Sequence, residues 1–387
     1  MNEARLLDTG SVIESAEIAS GTSGLVDRGL RDRVDALLAQ FRAASDGYSQ
    51  DQMVATRRQV VRLLARRLAV ARDIAAHPEI LEEDIERPIF VIGFARTGTS
   101  IQQALLDADP ANCGLRAWQA HEPSPPPGER PVTQARRRAA GDVVRHFVER
   151  CPGIMTLHPY WEDEDTLIED EEIWTLDFWH SYPVALCDAP SLVIDKGARE
   201  MEGAYLWLKM FLQHQQWKNP KKRWVLKGIE HQRYLSTLFA VFPDARALFP
   251  HREPKNFLPS NLAIAAAVYD AISMGALDRP TLAQGYLADF RARLDAVMQE
   301  TALHDPRVTH VSFKSFIADP VAALRQCYGE WGFDWSDEAE TAMHAWLDDP
   351  AHSSDRYGRH TYNFEPFAVN WSRESAAFEP YRQRFLN

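Results

Sequence analysis

Between residues 25 and 77, apolar side chains recur every three or four positions: Leu30, Val34, Leu37, Leu38 and Phe41, then Val60, Val61, Leu64 and Leu68. That is the period of a helix burying one face. Gly47 and Tyr48 interrupt the pattern, so two helices are expected. On the second, Arg57, Arg58, Arg66 and Arg67 read as a solvated face with no assigned function. Residues 1–24 are small, polar and Gly/Ser-containing, which predicts a mobile arm or a strap over a neighbour.

From residue 88 the pattern changes, and short apolar runs alternate with longer amphipathic ones. The runs Pro88–Gly93, Lys222–Lys227, Arg246–Pro250 and Val308–Phe313 predict four buried strands. Helices are expected over 98–107 and 132–150, and from the acidic stretch 161–172 to about His180. More are expected over 197–216, 231–242, 255–275 and 280–302. The proline-rich stretch 122–131 is a loop. Asp319-Pro320 opens a further helix, with Asp as N-cap and Pro in the first turn. Strands alternating with helices predict an α/β protein in three layers, a mostly parallel sheet flanked by helices. The expected organisation is an N-terminal helical extension over 1–87, lying as a cover on a main domain over 88–387.

An apolar fraction of 45% in 387 residues is enough for such a core. The net charge of −12 argues against broad nucleic-acid binding, which needs a basic footprint. It leaves room for one phosphate pocket with a few local donors. Cys113, Cys151, Cys187 and Cys327 are scattered without a C-x-x-C pair, so neither a zinc site nor a disulfide framework is expected. Such thiols fit a reducing cytoplasm. The N-terminus is acidic and lacks the apolar stretch of a secretory leader. The longest mildly apolar run, Leu262–Leu277, contains Asp270 and is too short and polar to span a bilayer. A cytoplasmic protein without a transmembrane segment is expected, with homo-oligomerisation left open.

The sharpest chemical feature is Gly93-Phe-Ala-Arg-Thr-Gly-Thr-Ser100, placed between a predicted strand and a predicted helix. The spacing G-x-x-x-x-G matches a P-loop. Its backbone N–H groups and the positive end of the following helix suit an anion. Arg96, Thr97, Thr99 and Ser100 add charge and hydroxyl donors, and Gly93 and Gly98 give the turn its room. A nucleoside triphosphatase needs Lys after the second Gly, where Thr99 stands. A Walker-B aspartate is equally hard to find; the weak candidate is Asp195, ending Leu192-Val-Ile-Asp195. The loop is therefore expected to hold a phosphate without the usual triphosphate chemistry.

A second cluster ends the third strand. Arg252 should project from the carboxyl end of the sheet, where ligands of open α/β sheets bind. Ser260 follows eight residues later, one to two turns into the next helix. A guanidinium and a hydroxyl aimed at one spot suit a second phosphate. An Arg252–Glu253 ion pair is the structural alternative.

Together, Gly93–Ser100 and Arg252…Ser260 resemble the sulfotransferases that use 3′-phosphoadenosine 5′-phosphosulfate (PAPS). The resemblance extends to the bacterial branch through Asp107-Ala-Asp-Pro110, Trp118…His121-Glu122-Pro123 and Trp224-Val-Leu-Lys-Gly228 with Glu230-His231. Phe242-Pro-Asp-Ala-Arg246, Asp319-Pro320 and Arg359-His-Thr-Tyr362 extend it further. It implies that the first loop holds the 5′-phosphosulfate, the Arg…Ser pair holds the 3′-phosphate, and 3′-phosphoadenosine 5′-phosphate (PAP) is the product. It departs at Ala95, where the family has Pro, and at Ile101-Gln102-Gln103, where apolar residues and often a His are usual.

Sulfuryl transfer needs positioning and charge stabilisation. Arg96 is expected to stabilise the leaving phosphate. Lys227 neutralises the bridging or a sulfonate oxygen, or else pairs with Glu230. For the general base, His231 is the first expectation, His121 and Glu122 the second, Asp170 or Glu171 the third. Arg356 and Arg359, in a loop flanked by Ser353-Ser354 and Gly358, are expected to clamp the 3′-phosphate, or else form an exposed charged loop. The scheme requires no metal. Trp118, Trp161, Trp174, Trp179 and Tyr160 sit in segments that resemble the family's acceptor lid, which implies a bulky, partly apolar small-molecule alcohol or phenol. Three other readings stay open: a small-molecule kinase with a degenerate P-loop, a non-catalytic nucleotide-binding protein of the same fold, and a dinucleotide oxidoreductase, the weakest because the loop is not G-x-G-x-x-G.

Overall fold

The computed structural model describes residues 6–43, 49–180, 201–272 and 278–386. Gly47, Tyr48, Cys187 and Asp195 fall outside them. The described chain forms a five-stranded sheet of β1 (Ile89–Val91), β2 (Asn112–Gly114), β3 (Arg223–Lys227), β4 (Arg246–His251) and β5 (Val308–Ser312). The spatial order is β2-β3-β1-β4-β5, and every neighbouring pair is parallel.

Four strands stand where the apolar runs placed them. The fifth, β2, is a correction to the expected four. It spans three residues, too few to leave a period in the sequence, and pairing with β3 defines it.

Helices cover both faces. In order they are α1 (Thr9–Ser20), α2 (Arg28–Ala43), α3 (Gln50–Ala76), α4 (Thr99–Ala108), α5 (Ala117–His121), α6 (Gln134–Arg150), α7 (Ile154–Leu157) and α8 (Glu171–Leu176). Then come α9 (Met201–Gln216), α10 (Leu235–Val241), α11 (Pro254–Ile272), α12 (Arg279–Gln299), α13 (Phe313–Ala318), α14 (Pro320–Trp331), α15 (Asp337–Asp348), α16 (Trp371–Glu374) and α17 (Glu379–Phe385). Successive side chains of a strand point to opposite faces. Phe90, Leu226 and Phe249 accordingly join one apolar cluster with residues of α3, α9 and α12. Ile89, Val91, Val225 and Leu248 join another with Leu105 and Leu106 of α4 and Leu324 of α14. Both faces are dry, which is why β1 reads as a continuous apolar run.

Residues 9–20 lie in the stretch expected as a mobile arm or a strap over a neighbour; they form α1, an ordered helix. Asp8 caps it by accepting the Ser11 N–H, and Gly21 ends it in the left-handed conformation at φ 65°. Val12, Ile13 and Ala16 are buried, and α1 packs on α3. The short apolar stripe is sparse enough in sequence to be hidden among polar neighbours.

The basic cluster on α3 is not a uniform solvated face either. Only Arg58 is exposed. Arg57 is buried and donates to the Leu6 carbonyl and to Ser11. Arg66 is buried 3.7 Å from Glu122. Arg67 pairs with Asp177. These arginines tie the helix to its neighbours through charge-assisted bonds that a polar side chain in sequence does not announce. Val34, Leu38 and Leu64 belong to the same apolar cluster as Phe90 of the sheet, so α2 and α3 share a core with β1.

The chain leaves β1 toward one edge of the sheet, through α4 to β2, and leaves β4 toward the other, to β5. Strand order therefore reverses beside β1, between the ends of β1 and β4. In open α/β sheets ligands bind in the crevice at such a reversal.

Candidate active site

The loop after β1 occupies that crevice. Gly93 sits at φ 132°, where an added Cβ would lie 3.3 Å from the Phe249 ring. Gly98 sits at φ 97°, and a Cβ there would lie 2.7 Å from the Phe313 ring. Both positions need glycine for conformation and for space. Thr97 donates its hydroxyl and its N–H back to the Phe94 carbonyl, which closes the turn. Gly98 then caps α4, so the loop delivers the chain into a helix N-terminus.

Arg252, one residue past β4, donates from Nη1 to the Arg96 carbonyl at 2.8 Å. It does not pair with Glu253, which binds Arg382 instead. Its guanidinium lies 4.5 Å from the centre of the Phe313 ring. Arg96 adopts φ 68° and donates from Nε to the Ser260 hydroxyl at 2.9 Å. Asn261 Nδ2 donates to the Ala95 carbonyl at 3.1 Å. Two motifs 156 residues apart thus meet at the carboxyl end of the sheet, where open α/β sheets bind their ligands. Burial, and next to it the positive charge of Arg96, pushes the Arg252 pKa down. Two neighbouring cations at the mouth of a helix favour an anion between them.

Lys227 ends β3, in register with Val91 of β1. Its Nζ lies 2.8 Å from Glu169 Oε1 and donates to the Ser100 hydroxyl at 3.2 Å. The expected alternative partner, Glu230, instead binds Arg233 and Arg293. Glu169, which sequence reasoning passed over, precedes α8 and lines a cavity of about 930 Å³. Arg96, Gly98, Thr99, Ser100 and Arg252 line that cavity, and so do the apolar and aromatic side chains of Phe147, Tyr160, Trp161, Trp174, Trp179, Ile264 and Val268. Gln103, in place of the family's frequent His, donates to the Ile168 carbonyl at 3.2 Å and so holds the segment that presents Glu169.

His158 lines the same cavity, stacked on Trp161 at 4.5 Å. Burial, then the charges of Arg96 and Lys227, pushes its pKa well below the ordinary value. It is a neutral imidazole at physiological pH and a weak base. No period or motif marks it in sequence.

His231 and His121 lie behind this surface. His231 is fully buried, with Nε2 2.8 Å from Asp170 and Nδ1 2.9 Å from the Tyr205 hydroxyl. Phe90 and Trp174 close on it edge-first. Neither His231 nor His121 is among the cavity-lining residues. Glu171 accepts the N–H groups of Ile229 and Glu230, so it braces the turn after β3. His121 faces Glu172 at 3.3 Å, with both side chains buried. Burial, then Arg66 and Arg62, pushes the His121 pKa far down.

Glu172 is pushed up to about 8, first by burial and then by the charge of Glu169. The folded chain keeps a proton that the unfolded chain releases from about pH 4.5 upward, so this group costs stability as pH rises through that window. Glu172→Gln holds the neutral form at every pH. It is expected to leave Tm nearly unchanged at about pH 5 and to raise it by several degrees at about pH 8. Thermal melts at the two pH values check this; an equal shift at both would refute the buried-proton account.

Residues 88–337 match the Sulfotransferase family, which is more than half of the chain. The chain belongs to the sulfotransferase family. Among solved sulfotransferases, STF9 from Mycobacterium avium superposes with a TM-score of 0.80 at 26% identity, covering 97% of this chain and 96% of that one. STF1 from Mycobacterium tuberculosis H37Rv shares the fold with a TM-score of 0.72 at 21% identity, covering 96% and 98%. Omega-hydroxy-beta-dihydromenaquinone-9 sulfotransferase Stf3 of Mycobacterium bovis (strain ATCC BAA-935 / AF2122/97) is 25% identical over 264 residues, 63% of this chain. Its counterpart from Mycobacterium tuberculosis (strain CDC 1551 / Oshkosh) matches equally. The chain spans about 62% of the length of these curated relatives.

The sulfotransferase match ends before Arg356 and Arg359. Arg356 binds Glu162 and the Pro159 carbonyl, beside the cavity residue Tyr160. Arg359 is exposed, and the adjoining Tyr362 donates to the Leu157 carbonyl. Neither arginine is among the cavity-lining residues, whereas Ser354 is. Among the described residues there is no group of His, Cys, Asp and Glu that could hold a metal ion, and no helix long and apolar enough to cross a membrane.

Proposed function

We propose that this sulfotransferase moves a sulfuryl group from PAPS to the hydroxyl of a bulky, largely apolar small molecule. The observation that carries the reading is Lys227, which touches Ser100 of the donor loop on one side and Glu169 of the cavity on the other. One cation therefore joins a phosphate cradle to a carboxylate facing an aromatic chamber.

The donor supplies an activated sulfuryl group and a phosphate leaving group. The residues present fit it: a glycine loop whose Cβ positions are filled by Phe249 and Phe313, a helix N-terminus, and two adjacent half-buried guanidinium groups, Arg96 and Arg252. In this reading the loop N–H groups, Ser100 and Lys227 hold the 5′ side. Arg96 stabilises the leaving phosphate, and Arg252 and Ser260 hold the 3′-phosphate; Arg356, bound to Glu162, and the exposed Arg359 are given no part in it. Lys227 neutralises charge as it develops on the leaving oxygen. Glu169 takes the proton from the acceptor hydroxyl. His231 and His121, expected as bases, instead stiffen the acidic segment from behind. The aromatic chamber suits an apolar alcohol. The curated relatives' named substrate, an omega-hydroxylated menaquinone derivative, is of that chemical class.

Calorimetric titration of the full chain with PAP, beside ATP–magnesium, tests the donor half. PAP alone is expected to bind, and Arg252→Ala to weaken it by about 1.5–3 kcal/mol, the worth of a hydrogen bond to a charged group. ATP–magnesium binding in place of PAP would revive the kinase reading. With PAPS supplied, a screen of hydrophobic alcohols in which none is sulfated would sink the acceptor assignment.

A further inference from the structure

Asp177 follows α8 by one residue and is almost completely buried. Its Oδ2 accepts the Trp179 indole N–H at 2.7 Å and Arg33 Nη2 at 2.5 Å. Its Oδ1 accepts Arg67 Nε at 2.6 Å, and its carbonyl accepts Arg33 Nε at 2.7 Å. Arg33 belongs to α2 and Arg67 to α3, both outside the matched family region 88–337.

These contacts converge on one ring. The Arg33 guanidinium lies 4.4 Å from the centre of the Trp179 ring, while Asp177 holds the indole N–H. On α9, Gly203 leaves the space the ring occupies: a Cβ there would stand 2.4 Å from Trp179 Cζ2. Phe178 takes φ 62° to turn the chain between the two residues. Trp179 lines the cavity beside Trp174. A clamp that only fastened α2 and α3 to α8 would need the two arginines and the carboxylate. It would not need to share one carboxylate oxygen between an arginine and the indole, nor to lay that arginine on the ring. A strained backbone at a non-glycine residue persists only where its surroundings over-determine it.

We propose that Asp177 is a positioning residue that, with Arg33 and Arg67, fixes Trp179 as a wall of the acceptor chamber, so that the N-terminal helices set specificity for apolar alcohols. This rests on the reading above that the chamber receives the acceptor. The physical basis is preorganisation: a rigid wall spares the acceptor the cost of ordering it. The N-terminal helices, which the family match does not include, thereby gain a role in acceptor choice.

The test labels the full chain with 5-fluorotryptophan and follows ¹⁹F resonances. Trp179 is identified by the signal lost in Trp179→Phe. In the wild type with PAP bound, 1-octanol is expected to shift that signal. In Arg33→Met and in Asp177→Asn the signal is expected to broaden or split, and octanol to bind about tenfold more weakly, while calorimetric PAP affinity stays within about twofold. Should Asp177→Asn not fold, Arg33→Met carries the test alone, because it leaves Asp177 paired with Arg67. An octanol titration that leaves the Trp179 signal in place, or is identical in Arg33→Met and wild type, overturns the inference. So does an equal loss of PAP and octanol binding, which marks a merely structural clamp. Failure of wild-type PAP binding is read separately and counts against the proposed function itself.

Discussion

Glu169→Gln is expected to lower kcat by about 10²–10⁴-fold, the usual worth of a positioned general base. Among the acidic residues 169–172, Glu169 alone lines the cavity, and its Oε1 lies 2.8 Å from Lys227. Glutamine keeps the shape and the hydrogen-bonding reach but cannot accept the acceptor's proton. PAP affinity should hold or tighten, since Lys227 loses its competing anion. His231→Gln supplies the contrast. It disturbs a buried network with Asp170 and Tyr205, so it should lower Tm more than it lowers kcat at a permissive temperature. Single-turnover rates with PAPS and an accepted alcohol decide the matter. A Glu169→Gln rate within tenfold of wild type would return the base role to another group.

Lys227→Met is expected to cost about 10²–10³-fold in kcat, as removal of one preorganised donor at a developing oxyanion does elsewhere. Methionine preserves the length and the packing of a side chain that is only 4% exposed. The loss should fall on the chemical step, with a smaller loss in PAP affinity, because the charge on the leaving oxygen grows during transfer. The two residues act on one transition state. The double variant Glu169→Gln/Lys227→Met should therefore lose about as much as the worse single variant, well short of the product of the two. Additive losses would mean that the 2.8 Å contact is structural and that the two groups work independently.

How much of this was legible in the sequence follows from which signals are local. The four apolar runs announced β1, β3, β4 and β5 because a strand buried on both faces must be apolar throughout. Gly93…Gly98 and Asp319-Pro320 were legible for the same reason: a positive φ, a missing Cβ or a helix cap is a demand made by a few adjacent residues. Strand β2 was not, because three residues carry no period and their pairing partner lies over a hundred positions away. Helix α1 was missed because its stability comes from packing on α3 more than from its own propensity.

The site divides along the same line. The motifs Gly93–Ser100 and Arg252…Ser260 carried the resemblance to the family, and their residue types marked them as candidate phosphate sites before the structure brought them together. Which acidic or imidazole group faces the cavity is a different kind of fact. Glu169, Asp170, Glu171 and Glu172 are neighbours in sequence and chemically near-identical. The turn into α8 sends the first to Lys227, the second to His231, the third to the N–H groups of Ile229 and Glu230, and the fourth to His121. Arg66 and Arg67 likewise read as a solvated face until Glu122 and Asp177 arrive from other segments. Local geometry is written in local residues. Burial and partnership are set by segments that meet only once the sheet and its helices have closed, and these decide which charges meet a substrate and which hold the fold.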